Sequence, residues 1–169
     1  QPPGFPVKFE EISARFEFAS LCARGCEVAG IQVLPIELSH PNNGLGYKFS
    51  EGGKTFVFLT DNELGFVHPG GKTFEDYLAF SRGADLLVHD ADYTDAEYPR
   101  RKTWGHSTWE QALDLALKSE ARAFGLFHHN QDRYDSQIDR TVAECSHRAR
   151  RAGSRLRCFA VKEGQEVKF

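Results

Sequence analysis

Five short motifs in this chain carry histidines and acids, and each is placed at the end of a strand-like apolar run. In order they are Ser39-His40-Pro41-Asn42-Asn43-Gly44-Leu45-Gly46-Tyr47, Leu59-Thr60-Asp61, Val88-His89-Asp90-Ala91, Gly105-His106-Ser107-Thr108 and Phe127-His128-His129. A lone His or Asp constrains little. Imidazoles and carboxylates repeated at strand ends call for a sheet whose strands reach one common rim. Strand ends are rigid platforms, as metal ligation requires. Such a rim is how a metal-dependent hydrolytic site is usually built.

The pattern between the motifs predicts the elements that carry them. Residues 1–6, with three Pro and a Gly, read as an extended entry segment. Residues 7–21 and 26–38 read as strands, the second ending just before His40. Leu45, Tyr47 and Phe49 alternate, Glu51-Gly52-Gly53-Lys54 turns, and Thr55–Thr60 runs apolar, which is a β-hairpin by period and turn chemistry. Thr73 with Asp76 three residues on caps a short helix with Phe74, Tyr77 and Leu78 on its apolar face. Asp85–His89 reads as a strand. Ser107-Thr108-Trp109-Glu110 has the form of a capping box. Trp109, Ala112, Leu113, Ala116 and Leu117 follow helical spacing behind it, which makes Trp109 a core residue. Ala123–Phe127 is the next strand. A helix over 136–151 turns Ile138, Val142, Cys145 and Ala149 inward. Arg157–Val161 and Glu166–Phe169 close the chain as strands. Early strands followed by helix–strand alternation predict an α/β fold, a mixed sheet with helices on one face.

A length of 169 residues suits a single domain, 1–169, with a real core, and 40% hydrophobic content with 14 Phe supports a globular one. The net charge of −3, with mixed signs, favours neither nucleic acid nor membrane as a whole-chain partner. Arg148, Arg150, Arg151, Arg155 and Arg157 form a local basic cluster that reads as a solvated helix end. No apolar run approaches the length of a membrane span. Cys22, Cys26, Cys145 and Cys158 have no second close pair to complete a zinc knuckle and read as reduced, structural thiols of a cytoplasmic protein. There is no Met, so Gln1 is not expected to be the start of the nascent chain.

The motif series resembles the C-terminal half of the metallo-β-lactamase superfamily, in the phosphodiesterase-like branch that includes ribonuclease Z. The His40-to-Tyr47 glycine turn, Thr60-Asp61-Asn62-Glu63, His89-Asp90-Ala91 in place of His-Glu-Ala, His106-Ser107-Thr108 and the strand-end His128 come in that family's order, over roughly residues 35–135. The family's main metal motif, His-x-His-x-Asp-His, is not in this sequence. The resemblance therefore implies part of an αββα sandwich: a fragment whose N-terminal half lies upstream of residue 1.

For the parent, the resemblance implies hydrolysis of phosphodiester bonds in a small-molecule or nucleotide substrate at two divalent ions, zinc first, with manganese or iron as alternatives. Asp61 would bridge the ions, and His40 and His128 would each bind one. His106, oriented by Asp90, would donate a proton to the leaving group or hold the phosphate. Weak or partial metal binding is expected of this chain alone, which would be inactive. Leu45, Tyr47, Phe49, Phe56 and Phe58 would face the N-terminal half or a homodimer partner. Rival readings are a regulatory or binding module that kept the fold, a thioester or lactone hydrolase, and an iron-dependent thiol oxygenase. His129 reads as a supporting or exposed residue, and His68 and His147 as surface residues.

Overall fold

The computed structural model describes residues 11–13 and 25–169. A seven-stranded sheet runs in chain order: β1 (Cys26–Val28), β2 (Ile31–Glu37), β3 (Leu45–Glu51), β4 (Lys54–Leu59), β5 (Leu86–Asp90), β6 (Ala123–Phe127) and β7 (Arg157–Ala160). The first four strands pair antiparallel, and β4 through β7 pair parallel. The helices are α1 (Phe74–Ser81), α2 (Trp109–Lys118) and α3 (Asp135–Arg151).

The expected 26–38 strand is two strands. Ala29 and Gly30 both take positive φ, 52° and 86°, and turn the chain back so that Val28 pairs with Ile31. Gly52 and Gly53 do the same between β3 and β4, at φ 55° and 78°, in the left-handed region that a two-residue hairpin turn requires. The strand expected over 7–21 lies outside the described residues except for Glu11–Ser13, which are not strand, and Cys22 lies outside them too. Residues 166–169 are not strand either. This tail folds across a sheet face, where Val167 packs beside Phe56, Phe58 and Phe159, and Phe169 lies 6.3 Å from Phe56.

The two faces of the sheet differ. Val57, Leu59, Leu87, Phe124 and Leu126 point to the helices and join Tyr77 of α1, Ala112, Leu115 and Ala116 of α2, and Cys145 and Ala149 of α3 in one core. The opposite face carries Leu86, Val88 and Ala123 flanked by half-buried Phe56, Phe58, Phe127 and Phe159. Among the described residues no helix packs there. Cross-strand register aligns Tyr47 with Phe58 and Phe49 with Phe56, so the alternating residues of the hairpin form one aromatic ladder. Leu45 stands at its end, 44% exposed.

The α2 cap is one residue later than the motif predicts. Thr108, not Ser107, caps the helix, paired with Gln111. The Ser107 hydroxyl is engaged elsewhere, donating to the Asn62 carbonyl at 2.6 Å and accepting from the Leu64 amide at 2.9 Å. Cys26, Cys145 and Cys158 are free thiols, and burial raises the pKa of the latter two. No described helix is long and apolar enough to cross a membrane.

Leu87 is wholly buried between the sheet and the helices. Leu87→Ala is expected to lower unfolding stability by about 2–5 kcal/mol through lost burial and the cavity left behind, measurable by urea denaturation.

Candidate active site

Strand direction brings the motifs together. β2 and β4 run the same way, since each is antiparallel to β3, and β4, β5 and β6 are parallel. Their C-terminal ends therefore share one rim. Register then sets the level: Leu59 aligns with His89, and Asp90 with Phe127. The next residues in each strand, among them Asp61 and His128, emerge side by side. His40 follows β2 at the same rim. His106 alone does not follow a strand. It arrives on the loop before α2, which the Tyr93–Thr108 bridge ties to the segment leaving β5.

One ligand atom each from Asp61, Asp90, His106 and His128 lies within 4.8 Å of the others. His128 Nε2 is 3.2 Å from an Asp61 oxygen. Its Nδ1 is 3.7 Å from Asp92 and makes no hydrogen bond although it is buried. The His106 and His128 rings stack at 4.4 Å. His40 stands outside that close group, its ring 5.7 Å from that of His106. Its Nδ1 accepts from the Asn42 amide at 3.2 Å, leaving Nε2 for the site. Gly105 is required here: its φ is +96°, and a Cβ would lie 2.7 Å from His40 Nε2. Asp61 and His128 also take left-handed backbone, at φ 58° and 54°.

Asp90 has no exposed side-chain surface. One carboxylate oxygen accepts from His106 Nδ1 at 2.6 Å, and the other accepts from the Ser107 and Asp92 amides at 3.3 and 3.2 Å. Burial works against charge on His106, but Asp90 outweighs it and the pKa is raised. Its neighbour His89 is a structural residue. It is fully buried, accepts from Asn62 Nδ2 at 3.1 Å and donates Nδ1–H to the Asp90 carbonyl at 2.8 Å, and burial lowers its pKa.

His68 is not a surface residue. It is 5% exposed, and its Nε2 donates to buried Glu63 at 2.8 Å. Glu63 also accepts from the Tyr98 hydroxyl (2.6 Å) and from the Thr103 and Gly105 amides (both 2.8 Å). Burial favours its neutral form, yet these donors hold its pKa below the usual carboxylate range. Glu63 thus pins both ends of the loop that delivers His106. His147 is exposed as expected, and His129 is half-buried. Asp92, one residue beyond the quoted His89-Asp90-Ala91, was not singled out from sequence. Its place two residues after Asp90 was the available signal. It receives a hydrogen bond from Asn130 at 2.8 Å and faces His128.

The donor set fits a divalent cation. Carboxylate and imidazole atoms from Asp61, Asp90, His106 and His128 converge within 4.8 Å of one another.

Glu63→Ala would leave the Tyr98 hydroxyl, the Thr103 and Gly105 amides and His68 without their acceptor. We expect stability to fall by about 3–5 kcal/mol, the range for removing one partner of a buried pair, with faster amide exchange at Thr103 and Gly105. The Asp92 carboxylate 3.7 Å away, helped by Asp90 and Asp61, raises His128 to about 9 despite opposing burial. Unfolded His titrates near ~6.5, so this contribution to stability is complete below that pH and is lost as pH rises through about 9. In metal-free protein, His128→Ala should therefore be more damaging at acidic than at alkaline pH in paired urea melts.

The beta-lactamase superfamily domain matches residues 6–129. Ribonuclease Z from Exiguobacterium sibiricum is 31% identical over 157 residues, 83% of this chain and 51% of the relative. Ribonuclease Z from Haloferax volcanii is 49% identical over 76 residues, 45% of this chain and 21% of the relative. The chain thus spans about half the length of the first relative, or less of the other. In fold, it is similar to the metallo-beta-lactamase fold protein YhfI from Bacillus subtilis, with TM-score 0.65 and 15% identity over 86% of this chain and 53% of that one. It is also similar to the short form of human tRNase Z, with TM-score 0.58 and 20% identity over 85% of this chain and 45% of that one. The chain belongs to the metallo-β-lactamase superfamily, and in sequence it is similar to ribonuclease Z.

Proposed function

We propose that this chain supplies one side of the active site of a metal-dependent phosphodiester hydrolase acting on a nucleotide or nucleic acid. The observation that carries the reading is the rim itself, where Asp61 meets His128 and the Asp90–His106 couple stacks beside them. Similarity to ribonuclease Z supports the substrate class.

Asp61 and His128, with His40 beside them, would hold two divalent ions, zinc first by donor chemistry, with manganese or iron as alternatives. The ions, when bound, supply Lewis acidity toward a phosphoryl oxygen and activation of water. The remaining work falls to the chain's own side chains. Asp90 accepts from Nδ1 and fixes the His106 ring. Asp90 raises the His106 pKa and so favours the protonated ring, whose Nε2–H can be given to the departing oxygen. The N-terminus of α2, two residues on, favours negative charge beside it. Asp92 orients His128 from behind. The His-x-His-x-Asp-His ligands would come from an upstream segment or a second protomer, seated on the aromatic sheet face. The free thiols of Cys26, Cys145 and Cys158 suit a cytoplasmic setting.

The test compares Asp61→Ala and His106→Ala in the full-length protein, with metal content measured beside turnover of a generic phosphodiester. Asp61→Ala is expected to lose both metal and activity. His106→Ala is expected to keep its metal and lose about 10²–10⁴-fold in kcat. An Asp61 variant with full metal and a near-normal rate would place the site elsewhere.

A further inference from the structure

The loop between Asp90 and His106 contains a feature that the chemistry above does not use. Arg100-Arg101-Lys102-Thr103-Trp104 sets three consecutive cations beside a tryptophan, in a chain whose net charge is −3. None of the three cations has a carboxylate partner among the described residues. Trp104 is 55% exposed. The Arg101 guanidinium lies 4.7 Å from the Trp104 ring and 5.7 Å from that of Tyr93. Arg100 and Lys102 are exposed beside it.

This loop is not loosely held. Glu63 grips it at the Tyr98 hydroxyl and at the Thr103 and Gly105 amides, on both sides of Trp104. Thr103 between them has φ +74°, a rare conformation for a β-branched residue, which persists only where its surroundings over-determine it. Trp104 is two residues from His106, so their Cα atoms are at most about 7.6 Å apart. An indole and three cations that have no carboxylate partner among the described residues are therefore presented, on a rigid mount, next to the proposed proton donor.

We propose that Arg101 and Trp104 form a stacking platform for an unpaired nucleobase, and that Arg100 and Lys102 take the phosphate beside it. The proposal rests on the phosphodiesterase reading and gives it a substrate class: a nucleoside phosphodiester whose base is free to stack. Every base has a π-face that an aromatic ring can meet, and a guanidinium adds both cation–π contact and charge. A free nucleotide and the single-stranded end of a nucleic acid share this chemistry. An anionic membrane would also attract cations and an indole. The buried carboxylate clamp favours a small, oriented ligand over a lipid surface.

The experiment titrates full-length wild-type protein and Trp104→Phe with a nucleoside 5′-monophosphate, a short single-stranded RNA, inorganic phosphate and anionic phospholipid vesicles. The difference in indole fluorescence between the two proteins isolates Trp104. Quenching by the mononucleotide or the RNA, and not by phosphate, supports the platform. A tighter RNA assigns the strand, and equal affinities assign the mononucleotide. No quenching by either, or the same response to phosphate or vesicles, overturns it. In kinetics on a base-containing diester, Trp104→Ala should raise KM about 5- to 150-fold with a smaller effect on kcat, and Trp104→Phe should restore most of the loss. An unchanged KM also overturns the platform. Wild-type turnover of a small diester without a base is read separately. Its absence would sink the hydrolase reading, while the fluorescence titration would still decide the platform.

Discussion

Polar groups at the rim of this sheet are removed from water and must satisfy one another. Asn62, Glu63, His89, Asp90 and Ser107 are all fully buried. Asn62 accepts from the Ser39 amide and donates to His89, His89 donates to the Asp90 carbonyl, and Ser107 joins the Asn62 carbonyl to Leu64. Four segments far apart in sequence are thereby joined: the turn after β2, the turn after β4, the end of β5 and the approach to α2. An unpaired member would carry a desolvation cost with nothing to offset it, so the arrangement is specified closely. The convergence of Asp61, His106 and His128 depends on this lattice more than on contacts among themselves.

Periodic elements were legible because their signal is local. The β3–β4 hairpin, α2 and α3 follow directly from alternation, glycine pairs and helical spacing, and α3 begins within one residue of its expected start. The segment over 26–38 was misread because Ala29 takes a conformation usual for glycine or asparagine, so the turn there carries only one of its ordinary markers. Capping at Thr108 instead of Ser107 depends on Ser107 meeting Asn62 and Leu64, which no local pattern encodes.

The same division holds at the site. Motif order named His40, Asp61, Asp90, His106 and His128, and the fold puts all of them at one rim. Glu63 and His68 were opaque because a carboxylate and an imidazole read as surface groups unless their partners are known, and those of Glu63 lie as far as 42 residues away. The loop at 100–104 shows why average charge misleads. A net charge of −3 conceals three adjacent cations that pair with no carboxylate among the described residues. The aromatic sheet face was visible in the alternation of the hairpin, but Phe159, Val167 and Phe169 reach it only through tertiary structure.

Asp61 and His128 hold a backbone conformation that glycine or asparagine would adopt with less strain. Stability and chemistry therefore pull these two positions in opposite directions. A lineage that no longer needed the chemistry would drift toward glycine or asparagine there at little cost to the fold, and would gain a few tenths to about 1 kcal/mol in doing so. On the proposed reading, it is the chemistry and not the scaffold that keeps an aspartate and a histidine at these turns.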